Sequence, residues 1–174
     1  LALASANLKD TYQRIPEPKG LPTLTGLYDP KLADLELKEV IGMAKRLLTA
    51  AHDYDKRITI DAGGVFASTS EKAIANSKGL GAAERSSDIT ALIMGMARDK
   101  DEVSSFDIEF DGSVNLRGLK LEACAKKFAQ KVIRSLGAKP ARSFTGTVLF
   151  SPNALQETLL GPIIYAVNSN FVQK

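Results

Sequence analysis

The chain has 174 residues, 44% of them apolar and 25% charged, with a formal net charge of +3. Those values suit a globular protein of one or two domains with one sizeable core. A charge this small argues against direct nucleic-acid contact, and the single cysteine, Cys124, excludes an intrachain disulfide.

The first residue is Leu1, so a missing N-terminal region is expected. No apolar run approaches the roughly 20 residues that span a bilayer, and no secretory signal pattern opens the chain. A cytoplasmic setting without a membrane anchor is the default expectation. Residues 1–10 suit the tail of a helix. Pro16, Pro18 and Pro22 then forbid regular structure, since each removes an N–H and restricts its predecessor; a linker or extended crossing segment is expected there. Asp29-Pro30 supplies a cap and a first-turn proline for a helix over 30–54. Leu37, Val40, Ile41, Ala44, Leu47, Leu48 and Ala51 mark its apolar face.

From residue 57 the pattern changes to strands. A short strand is predicted at 58–60, a turn or bulge at Gly63-Gly64, and further strands through Phe66, Ser68, Ala73 and Ile74. Residues 76–79 form a turn in which Asn and Gly tolerate left-handed backbone. A long strand follows at 88–97, then a polar hairpin tip at Asp99-Lys100-Asp101. Residues 103–110 alternate, with Phe106, Ile108 and Phe110 on one face. Consecutive strands with short polar turns indicate an antiparallel meander. A second helix is predicted over 119–136, with Gly137 as its C-terminal cap. Leu121, Ala125, Phe128, Ala129, Val132, Ile133 and Leu136 form its stripe, and its lysines and arginines read as a solvated face. A strand at 145–150 and a helix capped by Ser151-Pro152 end the series.

The chemistry is mostly negative. Zinc sites take three or four His, Cys or acidic ligands, and the chain has one histidine, His52. It stands near the end of the first helix beside Asp53 and Asp55, where the helix dipole favours it. No His-Glu-x-x-His, P-loop or Gly-x-Ser-x-Gly pattern occurs. Gly79-Leu80-Gly81 begins like a dinucleotide loop but lacks its last glycine and precedes a strand, so a hairpin turn is expected. Asp99, Asp101 and Glu102 read as a solvated tip. Asp107, Glu109 and Asp111 read as the acidic, wet face of the sheet. Cys124 reads as a packed thiol. The residues thus offer no catalytic, cofactor-binding or metal-binding set.

Two stretches carry a resemblance. The first is Asp55-Lys56-Arg57-Ile58-Thr59, Gly63-Gly64 and Ala75-Asn76-Ser77-Lys78-Gly79. The second is Leu136-Gly137-Ala138-Lys139-Pro140 with Gly146-Thr147-Val148-Leu149-Phe150-Ser151-Pro152. In order and spacing they are similar to the TldD/PmbA family, also called modulators of DNA gyrase, over about residues 31–171. The resemblance implies cytoplasmic proteins more than twice this length. The chain would then be a middle fragment: 1–29 the end of an N-terminal region and linker, 30–142 an α+β middle domain, and 143–174 the start of a truncated C-terminal β-rich domain. The fold expected is α+β, an antiparallel meander packed against two long amphipathic helices. The family's catalytic branch carries His-Glu-x-x-x-His on the helix after the strand resembling 147–150. Here Leu159-Leu160-Gly161-Pro162-Ile163-Ile164-Tyr165-Ala166 stands there, with Gly161 and Pro162 about where His and Glu would be.

The chain therefore resembles the non-catalytic PmbA/TldE branch, which implies pairing with a zinc-bearing TldD-like subunit in a peptidase acting on unfolded peptides. A homo- or heterodimer is expected, with no metal, cofactor, membrane or nucleic acid on this chain. Two other readings stay open: a module that binds DNA gyrase or another DNA-associated protein, and a small hydrolase using serine and carboxylates.

Overall fold

A computed structural model describes residues 15, 17, 18 and 20–168; the helix tail predicted at 1–10 lies outside them. Asp29 and Pro30 act as the sequence indicates. The Lys31 amide donates to Asp29 Oδ1 at 3.0 Å, and Pro30 takes the first position of α1 (Pro30–Ala33). The predicted helix over 30–54 is nevertheless two helices. The Asp34 amide turns back to the Pro30 carbonyl at 3.2 Å and closes α1. Glu36 then adopts extended backbone, and its amide donates to Glu39 Oε2 at 3.0 Å to start α2 (Leu37–Tyr54). A new N-terminus competes with continuation wherever such a cap is available.

Four strands follow: β1 (Ile58–Ala75), β2 (Gly81–Asp99), β3 (Glu102–Val103) and β4 (Asp107–Ser113). All pairs are antiparallel, with β2 between β1 on one side and β3 and β4 on the other. The short strands expected between 58 and 74 are one strand of 18 residues. Its register shifts between Ile60 and Ala62, which makes Asp61 the bulged residue, while Gly63 and Gly64 stay in the ladder opposite Ile93 and Leu92. Gly63 serves close approach instead of a turn. A Cβ on Gly63 would lie 2.6 Å from Leu48 Cδ2 of α2. Opposite the bulge, Gly95 has φ +156, and a Cβ there would strike the Thr59 carbonyl oxygen.

The strand expected over 103–110 is interrupted at 104–106. Ser104 Oγ accepts from the Ala97 amide at 2.8 Å and donates to the Ser105 carbonyl at 2.9 Å. A side chain thus replaces a ladder bond at that point.

A 3-10 turn (Leu116–Gly118) leads into α3 (Leu121–Arg134), and Gly137 beyond it has φ +69, which glycine adopts without a Cβ penalty. Helices α2 and α3 pack on the same face of the sheet. The core joins Leu47 and Ala51 of α2, Ile58 and Val65 of β1, Ile89, Ala91, Ile93 and Ala97 of β2, and Leu121, Phe128, Ala129 and Val132 of α3. Burying Phe128 alone contributes on the order of 2–3 kcal/mol. The stripe of α2 is only partly used, since Leu37 and Ile41 remain exposed.

Residues 139–174 form a second compact unit. Residues 145–150, predicted as a strand, are exposed and bend at Gly146, and none of the described residues supplies them with a ladder partner. Ser151 caps the next helix as expected, accepting from the Ala154 amide at 3.3 Å, with Pro152 at its first position. The helix does not stop at Gly161-Pro162. Helix α4 (Pro152–Leu155), a π-helical turn (Gln156–Leu160) and α5 (Gly161–Ala166) follow without a break. A proline inside a helix lacks its N–H and crowds the carbonyl four residues back. The widened turn just before Pro162 makes room for its ring.

Candidate functional site

The two faces of the sheet carry opposite chemistry. Odd-numbered residues of β2 from Ser87 to Ala97 point toward the helices, and their neighbours on β4 are Asp107, Glu109, Asp111 and Ser113. The acidic strip therefore faces inward, which overturns its assignment to the wet face. Lys131 of α3 is the reason. Its Nζ lies 2.7 Å from Glu109 Oε2 and 3.4 Å from Asp107 Oδ1, and Asp111 Oδ2 accepts from the Lys120 amide at 2.7 Å. Glu109 is only 8% exposed. Burial works to lower the Lys131 ammonium, but its hydrogen bond to Glu109, with Asp107 beside it, outweighs this and raises its pKa above the ordinary value.

Cys124 is buried beneath this strip. Burial, reinforced by the Glu109 and Asp111 carboxylates, pushes its thiol up to about 11. It is protonated near neutral pH and is a packing group, because the thiolate is the nucleophile. His52 sits in the last turn of α2 with Nδ1 3.2 Å from Lys56 Nζ, and Lys56 also reaches Asp53 Oδ1 at 3.3 Å. Among the described residues no three His, Cys, Asp or Glu groups are placed to hold a metal ion.

At the end of the sheet near α2, Arg57 spans two carboxylates. It donates to Asp55 Oδ2 and to Asp99 Oδ2, each at 2.8 Å. Its side-chain and backbone hydrogen bonds hold the Asp55 carboxyl down at about 2. Asp99, expected at a solvated tip, is tied instead to the start of β1, while Lys100 makes the turn with φ +55.

None of the described helices of the first unit packs on the other face of the sheet. Rows across the strands read Gly64–Leu92–Phe110 and Ala62–Met94–Ile108. Phe66, Ile108 and Phe110 are 63%, 44% and 60% exposed there. Sequence alternation placed Ile108 and Phe110 on one face, which no described helix of the first unit covers, while Phe106 lies before the strand begins. Among the described residues, the outer edges of β1 and β4 have no strand beside them.

Two polar anchors escaped sequence reasoning. Ser87 is buried; its Oγ accepts from the Asp29 amide at 2.8 Å and donates to the Val114 carbonyl at 2.7 Å. Asp29 Oδ2 accepts from the Leu116 amide at 3.2 Å in addition to capping α1. A serine at a core-facing place of an otherwise apolar strand was the available signal. The segment before Asp29 also lines a groove of about 740 Å³ with Lys72, Ile74 and residues 82–85, where the Arg85 guanidinium stands 5.4 Å from the Tyr28 ring centroid.

In the second unit, Gly161 and Pro162 lie at the start of α5. The side chains from Leu159 to Ala166 carry no imidazole, carboxylate or thiol.

The profile of the PmbA/TldA metallopeptidase central domain matches residues 30–136. The chain belongs to the TldD/PmbA family. Three solved structures share the TldD/PmbA fold with it. One, described as a modulator of DNA gyrase from Bacteroides thetaiotaomicron VPI-5482, has a TM-score of 0.76 at 24% identity over 98% of this chain and 40% of that one. A second, described as a modulator of a DNA gyrase from Thermotoga maritima MSB8, has a TM-score of 0.69 at 22% identity over 82% of this chain and 32% of that one. The third is TldE from Thermococcus kodakarensis, with a TM-score of 0.66 at 20% identity over 76% of this chain and 30% of that one. The TldD/PmbA chain described here thus spans between 30% and 40% of the length of these structures. No curated protein matches it. No described helix is long and apolar enough to cross a membrane.

Proposed function

We propose that this chain belongs to a non-catalytic subunit of a TldD/TldE-type zinc peptidase, which pairs with a zinc-bearing subunit and helps form the cleft for unfolded peptides. The observation that carries the reading is the helix through Gly161 and Pro162. Where the catalytic branch would place His and Glu, this helix offers a residue with no side chain and a ring with no donor or acceptor. Zinc hydrolysis needs ligands that hold the ion and a base that activates its water. Neither chemistry is available from residues 159–166. Glycine and proline also alter the backbone there, since the π-helical turn ends where Gly161 begins.

Residues 143–174 are read as the start of the domain that would meet the zinc-bearing partner. Peptide capture is assigned to the unpaired edges of β1 and β4, where an extended chain can add as a further strand. The absence of a ladder partner on either edge among the described residues supports this. The test is co-expression of the natural protein with a family member that carries His-Glu-x-x-x-His, followed by cleavage assays on unfolded peptides. The pair should copurify and cleave, a chelator should stop it, and this chain alone should be inert. Peptide cleavage by this chain alone would overturn the reading.

A second reading follows from the gyrase named in the descriptions of the Bacteroides and Thermotoga structures. In it the chain docks on a DNA-associated protein and takes no part in proteolysis. Retention of gyrase, without any zinc-bearing subunit, would favour it.

A further inference from the structure

The segment before α1 is tied to the long β1–β2 hairpin at two places. At one, the Ser87 amide donates to the Leu27 carbonyl at 2.9 Å, and Ser87 Oγ accepts from the Asp29 amide at 2.8 Å. At the other, Lys78 Nζ lies 3.1 Å from Glu17 Oε1. The tied residues Asp29 and Ser87 are 58 apart in sequence, and Glu17 and Lys78 are 61 apart. The segment therefore runs parallel to β2 and keeps nearly one register along it. Between the ties it stands off the strand. The groove of about 740 Å³ opens there, between Leu21, Leu24 and Leu27 on one wall and Ala82 and Arg85 on the other.

The edge of β2 beside this segment has the backbone groups that a strand needs. Pairing with β4 stops at Ile89, so among the described residues no strand lies on that side of β2 from Gly81 to Ser87. Backbone groups of a strand alternate between its two edges. The Ser87 amide points to Leu27, so the N–H and C=O of Arg85 and Ala83 point the same way. In a parallel ladder a residue bonds to both neighbours of the residue opposite it. Ser87 reaches Leu27 and Asp29 in that manner, with its hydroxyl in place of its carbonyl for the second bond. Tyr28 is thereby set opposite Ser87, Gly26 opposite Arg85 and Leu24 opposite Ala83. The Arg85 guanidinium beside the Tyr28 ring fits this register, since the two are diagonal neighbours in it. The ladder draws on the amides of Thr23, Thr25 and Leu27. Pro22 has no N–H, and it falls where none is required.

One residue holds the ladder open. Gly26 has φ +78, a left-handed backbone that turns the chain off an extended course. No described atom lies within 4 Å of where its Cβ would stand, so packing does not fix it there. Glycine adopts this conformation and the extended one about equally well. We propose that residues 21–27 are a strap that closes on β2 as a further, parallel strand when Gly26 becomes extended, and that closing removes the groove. The strap does not rest on the peptidase reading, and amide exchange does not report on catalysis, so either can fail alone.

The test is hydrogen exchange resolved to single amides, on the natural protein. Gly26→Val disfavours left-handed backbone, which a β-branched residue rarely adopts, and should move the strap to its closed state. The amides of Thr23, Thr25, Leu27, Ala83 and Arg85 should then exchange at least about tenfold more slowly than in the wild type, while that of Leu24 exchanges as before. Adding Thr25→Pro removes a required donor and should return Ala83 and Arg85 to wild-type rates. Adding Leu24→Pro, where no donor is required, should leave them protected. Unchanged rates in Gly26→Val, protection that does not alternate along the strap, or protection that survives Thr25→Pro would each overturn the proposal. Protection of Ala83 and Arg85 in the wild type, with none at Thr23 and Thr25, would give this edge to another segment or partner and also overturn it. The amides of Leu92 and Ile93 report whether each variant is folded. If they lose protection in Gly26→Val, Gly26→Ala takes its place with the same expectations.

Discussion

Replacing Lys131 by methionine tests the inward-facing acidic strip. Methionine keeps most of the length and packing of the lysine stem but removes the ammonium that lies 2.7 Å from Glu109. The Glu109 side chain is 10% exposed and that of Lys131 is 42% exposed. Breaking a fully buried pair costs about 3–5 kcal/mol, and an exposed pair is worth about 0–1 kcal/mol. With one partner covered and the other half in water, a loss of about 2 kcal/mol is expected, between those limits. For a chain of this size that corresponds to a fall in Tm of roughly 4–8 °C. The chain has no tryptophan, so urea and thermal unfolding are best followed by far-UV circular dichroism. The double variant Lys131→Met with Glu109→Gln removes the stranded charge and should recover to within about 1 kcal/mol of wild type, since an intact buried pair adds little over a neutral one. The raised pKa of Lys131 fixes the sign of the pH dependence. Its contribution is full below the ordinary lysine value of 10.5 and is lost as pH rises through the higher folded value. Lys131→Met should therefore show a shallower loss of stability above pH 10.5. A single variant as stable as wild type, or a double variant worse than the single, would refute the inward placement of Glu109.

Asp55 should give the opposite limb. Its folded pKa of about 2 lies below the ordinary 3.8, so the contribution is present above 3.8 and is lost as pH falls toward 2. Asp55→Asn should flatten the acid side of the Tm profile, and an unchanged slope would remove the Arg57 bridge from the account. Gly95→Ala places a Cβ against the Thr59 carbonyl on the bulged strand, and a loss of at least about 2 kcal/mol is expected from strain and backbone displacement. A neutral result in urea unfolding would show that the bulge at Asp61 is not held there. Cys124 should resist a thiol reagent at pH 7 in the folded protein and react fully in denaturant; equal rates in the two states would contradict its burial. Gly161→His with Pro162→Glu should yield no metal-dependent peptide cleavage, since one added imidazole and one carboxylate fall short of the three protein ligands and separate base that a zinc hydrolase uses.

Elements with strong local signals were legible in the sequence. Asp29-Pro30 and Ser151-Pro152 mark helix starts through their own backbone preferences, and each does so in the structure; Gly137 has the left-handed backbone expected of it, but α3 ends earlier, at Arg134 with Ser135 as its cap. The apolar stripe of α3 and the hairpin turn at Asn76 through Gly79 also emerged as read. What failed depended on partners far along the chain. Gly63-Gly64 looks like a turn until Leu48 is seen pressing on it. The alternation at residues 103–110 reveals two faces but not which one is covered. That choice is made by Lys131, which has a polar head and a long apolar stem and is silent in any hydrophobic pattern. The open sheet face became visible only once β1, β2 and β4 were laid side by side.

The placement of Lys131 bears on the order in which the protein assembles. A one-residue slip of β4 would exchange its two sides, turning Phe110 under the helices and Glu109 into water. By greasiness alone the slipped pairing is the better one. The lysine that reverses this preference lies 24 positions after Asp107. On the ribosome, β4 is thus complete before it has grounds to choose, and its commitment has to await α3.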